Sequence, residues 1–221
     1  MTLATLWQRL RGSSSGAADA PARWIVLDVE SSGLDPQRDR LLAIAAVAIH
    51  LQGSRLVVDL ADSFEVVLQQ PEQNGPPDKA NILIHGIGVA AQRAGTTPRL
   101  ALRAFEAWVA SAPLLGFHVA FDRVLIERAM QRELGHKPAG PWLDLAELAP
   151  VLHASVRARA LDDWLAHFGL RVAVRHQAAA DALATAELLQ RLWPGARAEG
   201  TAGFAGLARL AAQRRWLPAS R

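Results

Sequence analysis

The sequence predicts an α/β fold: a mixed sheet of five strands covered by helices on both sides. Two observations carry this. Three β-rich apolar runs follow one another between residues 24 and 68, separated by turn signals, as consecutive antiparallel strands are. After them, short apolar runs alternate with stretches of helical period, as when two further strands lie parallel with helices between them.

The elements follow in order. Met1–Arg11 carries Leu3, Leu6, Trp7 and Leu10 at helical spacing, and a Ser/Gly/Ala linker runs from there to Ala22. Gln8 and Arg9 interrupt the segment, which therefore lacks the apolar core of a signal peptide. Trp24–Glu30 is the first strand, stopped by the turn-forming residues 31–36. Leu41–Leu51 and Arg55–Leu68 are the second and third, and the Pro- and Gly-bearing stretch 70–78 is a loop. Leu100–Val109 is a helix, Pro113–Phe117 a short fourth strand, and Phe121–Leu134 a helix with apolar residues at 121, 124, 125, 129 and 134. Trp142–Leu145 is the fifth strand, with helices near 145–152 and 161–168 after it. Ala178–Trp193 is a long helix that Pro194 and Gly195 are expected to stop, and a basic helix over 204–216 closes the chain. The expected organisation is a helix and linker over 1–22, a main domain over 23–195, and a basic helix within 196–221 packed on it.

Composition narrows the chemistry. The chain of 221 residues has an ordinary balance of apolar and charged residues and no Cys. Disulfides and thiolate metal sites are thereby excluded, and any bound metal must be held by carboxylate or imidazole. The net charge of +3 rests almost wholly on Arg, with only Lys79 and Lys137 as lysines. Arg suits bidentate phosphate recognition, which admits nucleic acid as a partner without requiring it. No run reaches the roughly 18 apolar residues of a membrane-spanning helix, so no membrane role is expected and a cytoplasmic location is.

Asp28 and Glu30 stand out first. Side chains alternate along a strand, so these two share a face while Ile25, Leu27 and Val29 take the other. Paired carboxylates at the end of an apolar strand repel each other and lose hydration, costs that a divalent cation would offset. An exposed strand end with two solvated acids explains them equally well when they are taken alone. Asp122 opens a helix that follows a strand, which suits either a favourable helix dipole or a ligand site at a strand's carboxyl end. His176 and Asp181 straddle the start of the long helix, with the small residues Ala178, Ala179 and Ala180 between them. Asp35, Asp39 and Asp144 read as loop or cap acids, and His85 and His153 as structural.

Order and spacing join these residues into one pattern: Asp-x-Glu on a first strand, Asp after a fourth, and His-x4-Asp at a late helix. The matching stretches are residues 27–36 (LDVESSGLDP), 116–122 (GFHVAFD) and 176–182 (HQAAADA). Here the chain resembles the DEDDh 3′→5′ exonucleases of the ribonuclease H-like fold. That family includes the epsilon proofreading subunit of bacterial DNA polymerase III, ribonuclease T and oligoribonuclease. The likeness spans roughly residues 24–192 and takes in 84–87 (IHGI) and 159–164 (RALDDW). In two places the chain departs from it. Ser31 and Ser32 replace the usual Thr pair, and His118 stands where the family usually has Asn.

The resemblance implies that Asp28, Glu30, Asp122 and Asp181 hold two divalent ions, Mg²⁺ or Mn²⁺, with Asp28 bridging both. It implies that His176 takes the proton of the attacking water. It further implies that Ser31, Ser32, Gly33, Leu34, His118 and Phe121 contact the substrate's 3′ end. The expected substrate is a single-stranded or frayed 3′ end of DNA, cut to nucleoside 5′-monophosphates. RNA 3′-end trimming is the alternative within the class, and a catalytically silent nucleic-acid-binding module is the alternative outside it. No clamp-binding peptide is evident after Trp193, which favours a free-standing exonuclease over a polymerase subunit and leaves the partnership and oligomeric state open.

Overall fold

Strand β1 (Ala22–Ser31) lies at the centre of a five-stranded sheet of order β3-β2-β1-β4-β5 in a computed structural model that describes residues 22–71, 79–172 and 174–216. β1 pairs antiparallel with β2 (Leu41–Gln52) and parallel with β4 (Leu114–Gly116); β2 pairs antiparallel with β3 (Arg55–Val67), and β4 parallel with β5 (Trp142–Asp144). The expected sheet of three antiparallel strands followed by two parallel ones is the observed one. The expected helix over 1–11, nearly all of its linker, and residues 72–78 of the expected loop lie outside the described residues.

Helices cover both faces. In chain order they are α1 (Lys79–His85), α2 (Val89–Ala94), α3 (Pro98–Val109), α4 (Ala120–Leu134), α5 (Leu145–Leu152), α6 (Leu161–His167), α7 (Ala178–Ala198) and α8 (Phe204–Ala211), with a 3₁₀ turn over Ala212–Trp216. Trp24 and Val26 of β1 pack with Val47 and Ile49 of β2 against α5, α6, α7 and α8. Ile25, Leu27 and Val29 point the other way, against α3 and α4. Residues 41–49 of β2 are buried without a break, which a strand covered on both faces requires.

Three features depart from expectation. α1 and α2 were not anticipated; each is short and buries one polar residue, His85 or Gln92, so neither carries an apolar stripe. The expected stop at Pro194 and Gly195 does not occur, and α7 continues to Ala198. Trp193 and Ala196 flank the breaker pair and are buried in the core, and that packing outweighs the hydrogen bond that a Pro inside a helix removes. The closing helix is α-helical only to Ala211, and Leu207, Leu210 and Ala211 join the same core as α7. Among the described residues no helix is long and apolar enough to cross a membrane.

Candidate active site

Asp28 and Glu30 continue the face of β1 that begins with Trp24 and Val26, and so they look toward α7. A register shift between Glu30 and Ser31 ends the regular pairing there, a device that re-aims side chains at the rim of a sheet. β1 and β4 run parallel, so their carboxyl ends share one edge. The chain leaving β4 enters α4, which sets Asp122 in its first turn at that edge, and α7 brings Asp181 to the same place. Asp122 and Asp181 are both buried, at 5% and 6% exposure.

The four acids sense one another. Asp28 is held well above the usual carboxylate range, first by burial and then by Asp122, Asp181 and Glu30. Burial and then Asp181 push Glu30 up to about 8, although the Ala178 N–H donates to it. Burial raises Asp122 to about 7 against the pull of backbone N–H groups that include that of Val29. Glu30 Oε1 is buried with no hydrogen-bond partner, a costly orphan. Among the described residues, no three Asp, Glu or His side chains already converge as a metal-ligand group. Asp181 is bonded to Arg175 instead: Arg175 Nη1 donates to its Oδ1, and the His176 backbone N–H donates to its Oδ2 at 3.1 Å.

His176 stands in the left-handed region at φ 60°, exposed, just before α7. Its backbone is fastened to Asp181, while its side chain faces outward. His118 is also left-handed, at φ 57°, a conformation in which Asn, Asp and His are several-fold enriched. That geometry gives a physical reason why His is accepted where Asn is usual. The His118 imidazole lies 3.3 Å from the Arg159 carbonyl and edge-on to Phe117, turned toward the segment before α6.

The turn after the acids is internally tied. Ser31 Oγ donates to the Gly33 carbonyl at 2.6 Å, and Ser32 Oγ bonds Asp39 at 3.0 Å. A Cβ on Gly33 would meet the Asp39 carboxylate at 2.6 Å, so a larger residue there would have to push Asp39 off its bonds to Ser32 and the Asp35 N–H. Leu34 projects from the turn at 93% exposure. Phe121 is half-buried and packs on the core between the sheet and α3/α4.

Sequence reasoning missed three supporting groups. Asn81 of α1 donates to the Ser31 carbonyl at 2.8 Å. Asp144, taken as a cap acid, does cap α5 but also accepts the His118 N–H. Arg175 is the third. Each is polar, lies off any periodic stripe and acquires its partner only through tertiary folding, so no local pattern marks it.

Known proteins resemble the chain over most of its length. A family model described as Exonuclease (RNase_T) matches residues 25–189. A DNA polymerase III subunit epsilon-like protein of Rhodobacter capsulatus is 30% identical over 202 residues, covering 88% of this chain and 27% of its own length. A PolC-type DNA polymerase III of Oceanobacillus iheyensis is 28% identical over 171 residues, covering 76% of this chain and 11% of its own. E. coli exonuclease I, solved in complex with a dT13 oligonucleotide, superimposes with a TM-score of 0.66 at 18% identity, over 81% of this chain and 42% of its own. The chain thus spans about a quarter or less of these curated relatives and under half of exonuclease I. The match across most of the chain shows that it belongs to the RNase_T exonuclease family.

Proposed function

We propose that the chain is a metal-dependent 3′→5′ exonuclease of the DEDDh type that releases nucleoside 5′-monophosphates from single-stranded or frayed 3′ ends of DNA. The placement of Asp28, Glu30, Asp122 and Asp181 near the same end of the sheet, close enough for Asp122, Asp181 and Glu30 to act on Asp28, supports this reading. Burial and the neighbouring acids hold Asp28 and Glu30 well above the usual carboxylate range. The orphaned Glu30 Oε1 and an all-oxygen donor set fit Mg²⁺ or Mn²⁺. When bound, a pair of such ions would supply an activated nucleophile and charge stabilisation at the scissile phosphate.

The chain's own residues do the rest. Asp28, whose charge meets that of all three other acids, would hold the metal together with Glu30, Asp122 and Asp181. His176, on the exposed loop before α7, takes the proton from the attacking water as general base. Ser31, Ser32 and Gly33 present the turn that meets the terminal nucleotide. Leu34 stacks on its base with Phe121 beside it, and His118 flanks the scissile phosphate. Leu34 projects from the turn that follows Glu30, where it is open to a base. DNA is favoured over RNA because the exonuclease I neighbours are solved with DNA oligonucleotides.

The test is release of mononucleotides from matched single-stranded DNA and RNA in Mn²⁺, repeated with Asp28→Ala. Metal-dependent release from DNA that the variant loses supports the reading. A strong preference for RNA would move the substrate, and an Asp28→Ala variant as active as the wild type would overturn the site.

A further inference from the structure

Arg175 lies outside the five residues of the motif, yet its guanidinium is bonded to one of them. Its Nη1 donates to Asp181 Oδ1, and its Nε donates to Asp162 Oδ1 at 2.5 Å, so one guanidinium bridges the first turns of α6 and α7. Its charge also reaches Asp28, where it opposes the repulsion of the neighbouring acids. The next residue along the chain, His176, donates its backbone N–H to the other oxygen of the same carboxylate. Two consecutive residues thus grip both oxygens of Asp181, and the second is held in the left-handed region to do so.

We infer that Arg175 is a positioning residue that competes with the divalent cation for Asp181 and so links metal loading to the placement of the His176 loop. The inference rests on the proposed metal-binding role of Asp181. A guanidinium and a hard cation are alternative occupants of Oδ1, because the Arg175 Nη1 hydrogen already takes up that oxygen and both partners are drawn to the same carboxylate charge. Were Asp181 to turn to a divalent ion, the guanidinium would keep Asp162, and residues 175 and 176 would lose their hold on the Asp181 carboxylate. The strained His176 backbone is then released to carry its imidazole over the substrate. Lysine would keep the charge but lose the fork that spans two carboxylates.

The measurement is Mn²⁺ binding without nucleic acid, by paramagnetic resonance or calorimetry, on wild type, Arg175→Gln, Arg175→Lys and Asp28→Ala. Arg175→Gln is expected to bind about ten-fold more tightly, equivalent to about 1.4 kcal/mol, with Arg175→Lys in between. In the wild type, amide hydrogen exchange over residues 174–177 is expected to quicken at saturating Mn²⁺. Binding by Arg175→Gln that equals or falls below the wild type overturns the inference. If that variant does not fold, Arg175→Lys decides: tighter binding supports the inference and unchanged binding overturns it. Wild-type protein with no Asp28-dependent Mn²⁺ site would instead sink the metal reading itself, so the two failures are separable.

Discussion

The Asp144 carboxylate accepts the backbone N–H of His118 at 2.9 Å, tying the end of β5 to the left-handed turn between β4 and α4. The same oxygen accepts the Ala146 N–H at 2.9 Å and so caps α5. Burial raises the Asp144 pKa despite these donors, and its charge in turn raises Asp122. Replacing Asp144 with Ala strands the backbone donors of His118, Val119 and Ala146 and should cost about 1–2 kcal/mol. Asp144→Asn keeps an acceptor oxygen and should cost less. Urea unfolding of both variants checks this, and an Asp144→Ala midpoint equal to the wild type would show that the carboxylate supports neither element.

That residue also shows how far the sequence could be read. Asp144 was legible as a cap because capping is local, set by a carboxylate and an N–H two residues apart. Its second bond, to a residue 26 positions away, depends on β4 and β5 lying side by side. The same division holds across the site. The shared face of Asp28 and Glu30 follows from strand alternation alone, and the turn after them from Ser, Gly and Pro. That Asp122 and Asp181 reach the same sheet edge follows only from topology, and Arg175 became visible only once α6 and α7 were placed. Where local rules failed, packing had overridden them: Pro194 and Gly195 sit inside α7 because Trp193 and Ala196 are buried beside them.

A cluster of mutually repelling acids stores destabilisation for function. Asp28→Asn removes one ionisable group from the cluster with little change of shape. Its melting temperature in chelator should therefore rise, by roughly 4 °C for each kcal/mol relieved. Nuclease activity should fall about 1000-fold, equal to roughly 4 kcal/mol of transition-state stabilisation. Calorimetry and a mononucleotide-release assay on the same samples test both halves. A variant that is less stable than the wild type would mean that Asp28 is held by favourable contacts, contrary to the strain described here.

Arg23 and Asp62 provide a control at the opposite end of β1. Arg23 donates from Nε at 2.6 Å and from Nη2 at 2.8 Å to the two Asp62 oxygens, and Trp108 Nε1 adds a third bond at 2.9 Å. The guanidinium also lies 4.6 Å from the centre of the Trp108 ring. A quarter of the Asp62 side chain is exposed, so solvent screens the pair and Asp62→Ala should cost only about 1–2 kcal/mol. Seven residues of strand, about 20 Å, separate Arg23 from Glu30. Activity of the folded variant should therefore match the wild type, and a loss of turnover without a loss of stability would show coupling along β1.

The raised carboxyl groups make stability depend on pH in a stated direction. Glu30 titrates at about 8 and Asp122 at about 7 in the folded chain, each well above the ordinary value of 4.5 or 3.8. For an acid whose folded pKa is raised, the folded state holds its proton where the unfolded chain has lost it. The stabilisation is therefore complete below the ordinary pKa and disappears as pH climbs through the folded one. In chelator, the melting temperature should fall between about pH 5 and pH 8.5. Glu30→Gln should flatten that slope by removing one titrating group. Mn²⁺ should restore stability most at the upper end, where the carboxylates are ionised and best able to bind it. Melting curves at five pH values, with and without Mn²⁺, decide the matter. A melting temperature that rises steadily across this window in chelator, unchanged in Glu30→Gln, would show that the acids are not strained as their surroundings indicate.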